Sequence, residues 1–128
     1  MNFELARHLL RARDLAHARY ADPLDIAALA RAAHVSPTHF ARSFKAAYGA
    51  TPHQYLIARR MERAALLLRE TDRPVTEISL DVGFSSLGSF SATFRRWFAV
   101  SPSDYRAGTE PSRVPSCMRM VVFEKRIP

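Results

Sequence analysis

The stretch ISLDVGFSSLGSFSATFRRWFAVSPSDYR, residues 78–106, decides how the chain is to be read. Ser86 is placed to cap a helix, and Phe90, Phe94 and Phe98 follow at i, i+4 and i+8, on one face of it. Ser101-Pro102 then opens another helix, with a hydroxyl cap followed by proline at the first helical position. Upstream, Gly83 closes a short helix that runs from Val75 to about Val82. The same plan occurs earlier in the chain. Phe40, Phe44, Lys45, Tyr48, Thr51, Pro52 and Tyr55 match Phe90, Phe94, Arg95, Phe98, Ser101, Pro102 and Tyr105 at a constant offset of 50. Before the turn the offset is 49, pairing Ile26, Leu29, Ala33 and Val35 with Val75, Ile78, Val82 and Phe84. The second copy therefore carries one extra residue, within GFSS at 83–86. A short helix, a tight turn with a serine cap and a longer helix make a helix-turn-helix, and two copies are too few for a solenoid.

Apolar spacing extends the reading in both directions. Leu5, Leu9, Ala12, Ala16 and Tyr20 form one face of a first helix that Pro23 stops. A second helix runs from about Asp25 to Ala33 with Ile26, Leu29, Ala30 and Ala33 inward. Ser36-Pro37 opens a third, which ends at Gly49. Thr51-Pro52 opens a fourth, from about His53 to Glu70. The fifth is the helix from Val75, the sixth spans about Leu87 to Phe98, and the seventh ends near Gly108. The fold class is all-α: seven helices, two helix-turn-helix subdomains at 1–52 and 71–108, a linker helix at 53–70, and a tail at 109–128. Within the tail, CMRMVVFEKR (117–126) is β-prone. It reads as a strand, a partner-binding segment or a disordered tail, with disorder or pairing with another chain favoured over a place in the core.

Composition narrows the class of partner. The 128 residues carry a formal charge of +7, from 19 basic and 12 acidic side chains. Lys45 and Lys125 are the two lysines, so the other 17 basic residues are arginine. Arginine suits bidentate recognition of phosphates and base edges, although a GC-rich genome produces the same bias. A hydrophobic fraction of 48% with 24% charged residues excludes a disordered chain. No run approaches the roughly 18 apolar residues of a membrane span. Glu4, Arg7 and His8 interrupt the start where an export signal needs its apolar run, and the lone Cys117 fits a reducing cytoplasm. Five histidines (His8, His17, His34, His39 and His53) show no metal-ligand spacing, so neither an enzyme nor a cofactor is expected.

The outer faces of the two longer helices point to double-stranded DNA. With Phe40, Phe44 and Tyr48 inward, Thr38, Arg42 and Lys45 lie roughly 200° away at about 100° per residue, with Ala41 beside them. Arg42 suits guanine O6 and N7, and Thr38 a thymine methyl or a phosphate. The plainer reading of this stripe is an ordinary solvated face. On the sixth helix the stripe is Gly88, Ser89, Ser91, Ala92 and Arg95, with Leu87 at the first turn. Arg95 and Arg96 suit phosphates, and the small residues favour close approach and shape readout over a sharp base code. The 18-residue linker measures about 27 Å at 1.5 Å per residue, against roughly 34 Å for one DNA turn. Helices 37–48 and 87–98 are thereby expected to reach successive major grooves. Arg59, Arg60 and Arg63 are candidates for the DNA side of the linker, or solvated charges.

These segments, with LARAAHVSPTHFARSFKAAYGATPHQYL (29–56) and RRMERAALLL (59–68), make the chain resemble the AraC/XylS family of bacterial transcription regulators. The likeness runs from about Leu5 to Arg106. It implies two helix-turn-helix subdomains on an asymmetric site of about two major-groove turns. It places base readers on Thr38, Ala41 and Arg42 in the first half and on Leu87, Gly88, Ser89, Ser91 and Ala92 in the second. Ser36, Pro37, Lys45, Ser86, Arg95 and Arg96 complete the candidate interface. Ala92 departs from the arginine that members commonly carry there, and Ala41 from an often polar position. Only about 25 residues precede the first helix-turn-helix, so the chain is similar to short members that bind DNA as monomers, with RNA polymerase as a further partner. Some relatives fuse this module to a cysteine methyl acceptor, but Pro115-Ser116-Cys117-Met118 lacks the adjacent histidine that would activate the thiol. The competing reading is an interaction protein acting on RNA polymerase or another regulator, with weak DNA contact.

Overall fold

A computed structural model describes residues 3–108, and the tail expectations, including Cys117, lie outside them. Seven helices and no strand occur among the described residues: α1 (Phe3–Ala18), α2 (Ile26–Ala32), α3 (Pro37–Tyr48), α4 (Pro52–Glu70), α5 (Val75–Asp81), α6 (Leu87–Phe98) and α7 (Pro102–Arg106).

Side-chain caps set most of the starts, because the first turn of a helix leaves its N–H groups without partners. Asp25 Oδ1 accepts from Ala28 N at 2.7 Å, Ser36 Oγ from His39 N at 3.3 Å, and Ser86 Oγ from Ser89 N at 3.1 Å. Thr51 and Gln54 form a reciprocal capping box at the start of α4, at 3.1 and 3.0 Å. Ser101 Oγ accepts from Asp104 N at 3.1 Å at the start of α7. Pro74 stands at the N-cap of α5 without a side-chain bond. Arg73, just before it, pairs with Glu77 at 2.8 Å and with Asp81, which ties the first turn of α5 to its last.

The repeat is written into the core. Phe44 meets Tyr55 at 5.5 Å between ring centroids, and Phe94 meets Tyr105 at 5.5 Å, both edge-on. Phe40–Phe44 (5.5 Å) and Phe90–Phe94 (5.8 Å) continue the two ladders along α3 and α6. Such pairs contribute about 0.5–1.5 kcal/mol each beyond the burial of their area. Phe40, Phe44, Phe90, Phe94, Trp97 and Phe98 are all buried, as their helical spacing requires. Tyr48 stays partly exposed, with the Arg13 guanidinium 5.1 Å from its ring centroid.

The two halves share α4, which packs on α1 and α3 at one side and on α5 and α7 at the other. Its buried residues run through Tyr55, Leu56, Ala58, Met61, Ala64, Ala65, Leu67 and Leu68, so the apolar stripe is continuous from one half into the other. In each half the helix that follows the helix-turn-helix reaches back with an arginine to main-chain carbonyls. Arg60 donates to Tyr20 O and Asp22 O, and Arg106 to Leu68 O and Thr71 O.

Candidate nucleic-acid interface

Both turns are closed by a residue in the left-handed region, where the helix C-terminus reverses direction. In the first it is His34 at φ 60°, in the second Gly83 at φ 101°. Val35 N then bonds Ala30 O at 3.2 Å, and Phe84 N bonds Ser79 O at 3.0 Å, the same arrangement twice. The extra residue of the second copy, within 83–86, is accommodated before the Ser86 cap without altering this closure.

With their aromatic faces inward, α3 and α6 present what remains. On α3, Thr38, Arg42 and Lys45 are exposed and Ala41 is half-buried beside them. Ser36 and Pro37 lie exposed at its first turn. The Ser36 oxygen accepts the capping bond, which leaves its hydroxyl hydrogen to donate outward. On α6, Leu87, Gly88, Ser89, Ala92, Arg95 and Arg96 are exposed and Ser91 is partly so, with Ser86 exposed at the cap. Leu87 keeps 41% of its surface in solvent at the tip of the helix, and a Cβ built on Gly88 would meet nothing within 4 Å. Nothing in the packing asks for glycine there.

The candidates on α6 fall on two sides of the helix. Leu87, Ser91, Ala92 and Arg95 line a groove of about 460 Å³ against Val75 and the start of α7. Ser89 and Arg96 line another, of about 410 Å³, facing His53, Gln54 and Trp97. Beside α3, His8, His34 and His39 share a surface pocket with Glu4, the rings of His8 and His34 lying 4.7 Å apart. Sequence spacing separates these three histidines, and only the packing of α1 on α2 and α3 brings them together. No group of His, Cys, Asp or Glu side chains among the described residues is arranged to hold a metal ion. No helix among them is long and apolar enough to cross a membrane.

Among the linker arginines, Arg60 is the one whose reading changes. Arg60 is not the solvated charge that its place on the linker allows, because its guanidinium is turned onto the carbonyls of Tyr20 and Asp22. Burial pushes its pKa below the usual arginine value. Arg59 lies over the Tyr20 ring, 4.5 Å from its centroid, and Arg63 is half-buried. A periodicity argument places residues on a face but cannot foresee main-chain carbonyls arriving there from another helix.

Residues 29–108 match the helix-turn-helix domain family. The regulatory protein SoxS of Salmonella typhimurium is 39% identical over 84 residues, covering 66% of this chain and 78% of SoxS. The chain belongs to the AraC/XylS family of transcription regulators. Within that family the transcriptional regulator MtrA of Neisseria gonorrhoeae is 38% identical over 85 residues, which are 66% of this chain but 28% of MtrA. The chain thus spans most of one relative and less than a third of the other. Among solved structures, the DNA-binding domain of the global transcriptional factor AdpA, in complex with a target DNA, matches with a TM-score of 0.75 and 33% identity. It covers 78% of this chain and 90% of that one. The fold is that of an AraC-type DNA-binding regulator, and α2–α3 and α5–α6 are its two helix-turn-helix units.

Proposed function

We propose that this regulator lays α3 and α6 into successive major grooves on one face of double-stranded DNA, as a monomer. The observation that carries the reading is the duplication itself. Each unit turns an aromatic face into the core and a short polar or small-residue face outward, and α4 bridges the two over about 28 Å at 1.5 Å per residue. One chain therefore holds both reading heads, and a second copy is not needed. The likeness to AdpA, solved with its target DNA, supports the same partner.

In this reading the first unit spans 1–52, the linker 53–70, the second unit 71–108 and the tail 109–128. Thr38, Ala41 and Arg42 meet base edges, with Arg42 donating to guanine O6 and N7 and Lys45 to a phosphate. Ser36 and Ser86, with Pro37, hold the backbone at the helix tips. Leu87, Gly88, Ser89, Ser91 and Ala92 approach the second groove closely and read shape and thymine methyls, while Arg95 and Arg96, about 100° apart on α6, hold phosphates. The protein acts by binding rather than catalysis, in the cytoplasm where its DNA lies, with RNA polymerase as the partner that converts occupancy into regulation.

Fluorescence anisotropy with the chain's own upstream DNA and a scrambled duplex, across several salt concentrations, tests this. Specific binding exceeds the scrambled control by about 10³ or more. A log–log salt slope near −5 to −8 corresponds to roughly 6–9 neutralised phosphates and two engaged units. A slope half that size on a duplex selected from a random library refutes the two-groove reading.

A further inference from the structure

Arg60 lies where three parts of the protein meet. Its Nε donates to Tyr20 O at 2.6 Å and its Nη2 to Asp22 O at 3.0 Å, in the connection that follows α1. From the same place the guanidinium carbon faces Phe84, 5.9 Å from the ring centroid, in the turn of the second unit. That turn comes close enough for glycine alone. A Cβ on Gly83 would stand 3.0 Å from Arg60 Nε, 3.1 Å from Ala21 Cα and 3.1 Å from Ala21 O, at a φ of +101°. The backbone of the second unit thus touches the backbone of the first beside one side chain of α4.

We propose that Arg60 is a positioning residue for DNA recognition: by locking the Ala21–Gly83 seam it fixes the distance and angle between α3 and α6, and with them the half-site spacing the protein accepts. This rests on the two-groove reading above. The chemistry fits a lock rather than a general stabiliser. The charge of Arg60 is met by carbonyl oxygens just beyond the C-terminus of α1, where the helix dipole favours a cation. The Asp22 carboxylate is engaged by Arg19 at 2.6 Å, so Arg60 reads the path of the backbone and not an exchangeable ion pair. Two bonds from a planar fork fix direction as well as distance, which a single ammonium cannot reproduce. Without the fork, α4 still carries both halves on its apolar stripe, but the seam between Ala21 and Gly83 is free to open.

One extra base pair moves a half-site by about 3.4 Å along the axis and turns it by about 34°. A closed seam cannot follow that displacement. The test uses a duplex selected by the wild-type chain from a random library, and variants with one base pair added or removed between the half-sites. Wild type loses about tenfold or more in affinity on either change. Arg60→Met keeps a cooperative melt but loses less than about threefold, so its spacing profile is flat. Arg60→Lys, which reaches one carbonyl, falls between them, and it is read in the same assay should the methionine variant not fold. A methionine or lysine profile as sharp as wild type overturns the proposal and leaves the two-groove reading standing. A selected site with a single half overturns both.

Discussion

Gly49 and Ala99 occupy the same place in the two copies, closing α3 and α6 in the left-handed region at φ 77° and 63°. Each accepts the end of its helix in the same way, Gly49 N bonding Lys45 O at 2.8 Å and Ala99 N bonding Arg95 O at 2.7 Å. The conformation is free of steric cost for glycine and costs a residue with a Cβ roughly 1 kcal/mol. Ala99→Gly should therefore stabilise the protein by about 0.5–1 kcal/mol, and Gly49→Ala should destabilise it by about 1 kcal/mol. Urea unfolding of the two variants checks both signs.

The two turns show the mirror of this pattern, with His34 where the second copy has Gly83. His34→Gly removes the same strain but also the ring contact with His8 at 4.7 Å. A gain smaller than that of Ala99→Gly is expected, and a thermal melt of the two variants side by side measures the difference.

The side chains of Arg42 and Lys45 are exposed on the outer face of α3. Alanine at either should change stability by less than about 0.5 kcal/mol. On DNA they should separate. Arg42→Ala costs about 1–3 kcal/mol and relaxes preference at one base pair, whereas Lys45→Ala weakens all sequences alike and lowers the salt slope by about one. Anisotropy titrations at several salt concentrations distinguish the two, and an unchanged slope for Lys45→Ala would remove it from the phosphate set.

Gly88 has open space where a Cβ would stand, and it lies inside the first turn of α6. Gly88→Ala should leave stability unchanged or raise it by about 0.5–1 kcal/mol, since glycine is the poorer helix former. The same change should weaken DNA binding if the groove wall comes against this position. A calorimetric melt and a titration on one preparation read both effects, and tighter or equal binding would count against close approach by α6.

Phe44 and Phe94 fill equivalent places in the two ladders, at 1% and 0% exposure. Either to alanine should cost about 3–5 kcal/mol. Because α4 shares its apolar stripe between the halves, one cooperative transition is expected for both variants by circular dichroism.

How much of this was legible in the sequence depended on the kind of bond involved. A helix that begins with a hydroxyl cap and a proline and ends at a glycine is readable to within a residue or so, as α3 at Pro37–Tyr48 shows, and α6 at Leu87–Phe98 coincides with its predicted span on its serine cap and aromatic spacing. The aromatic ladders were readable because i, i+4 and i+8 spacing leaves one inward face. The left-handed Ala99 and His34 are not, since alanine does not signal that conformation and histidine does so only weakly, although the repeat offsets of 50 and 49 place them opposite Gly49 and Gly83. Arg60 and Arg106 escaped for a different reason. A guanidinium bonded to main-chain carbonyls leaves no mark on the partner's residue type, so Tyr20, Asp22, Leu68 and Thr71 look ordinary in the sequence.

The uninterrupted α4 has a consequence for how such a chain can change over generations. Inserting a single residue between Met61 and Leu67 would advance one half by about 1.5 Å and rotate it by about 100° relative to the other. Every buried position beyond the insertion would leave the stripe at once. Length variation is therefore confined to the turns, as the extra residue at 83–86 already illustrates, and the rotational phase of the two halves can drift only through substitutions.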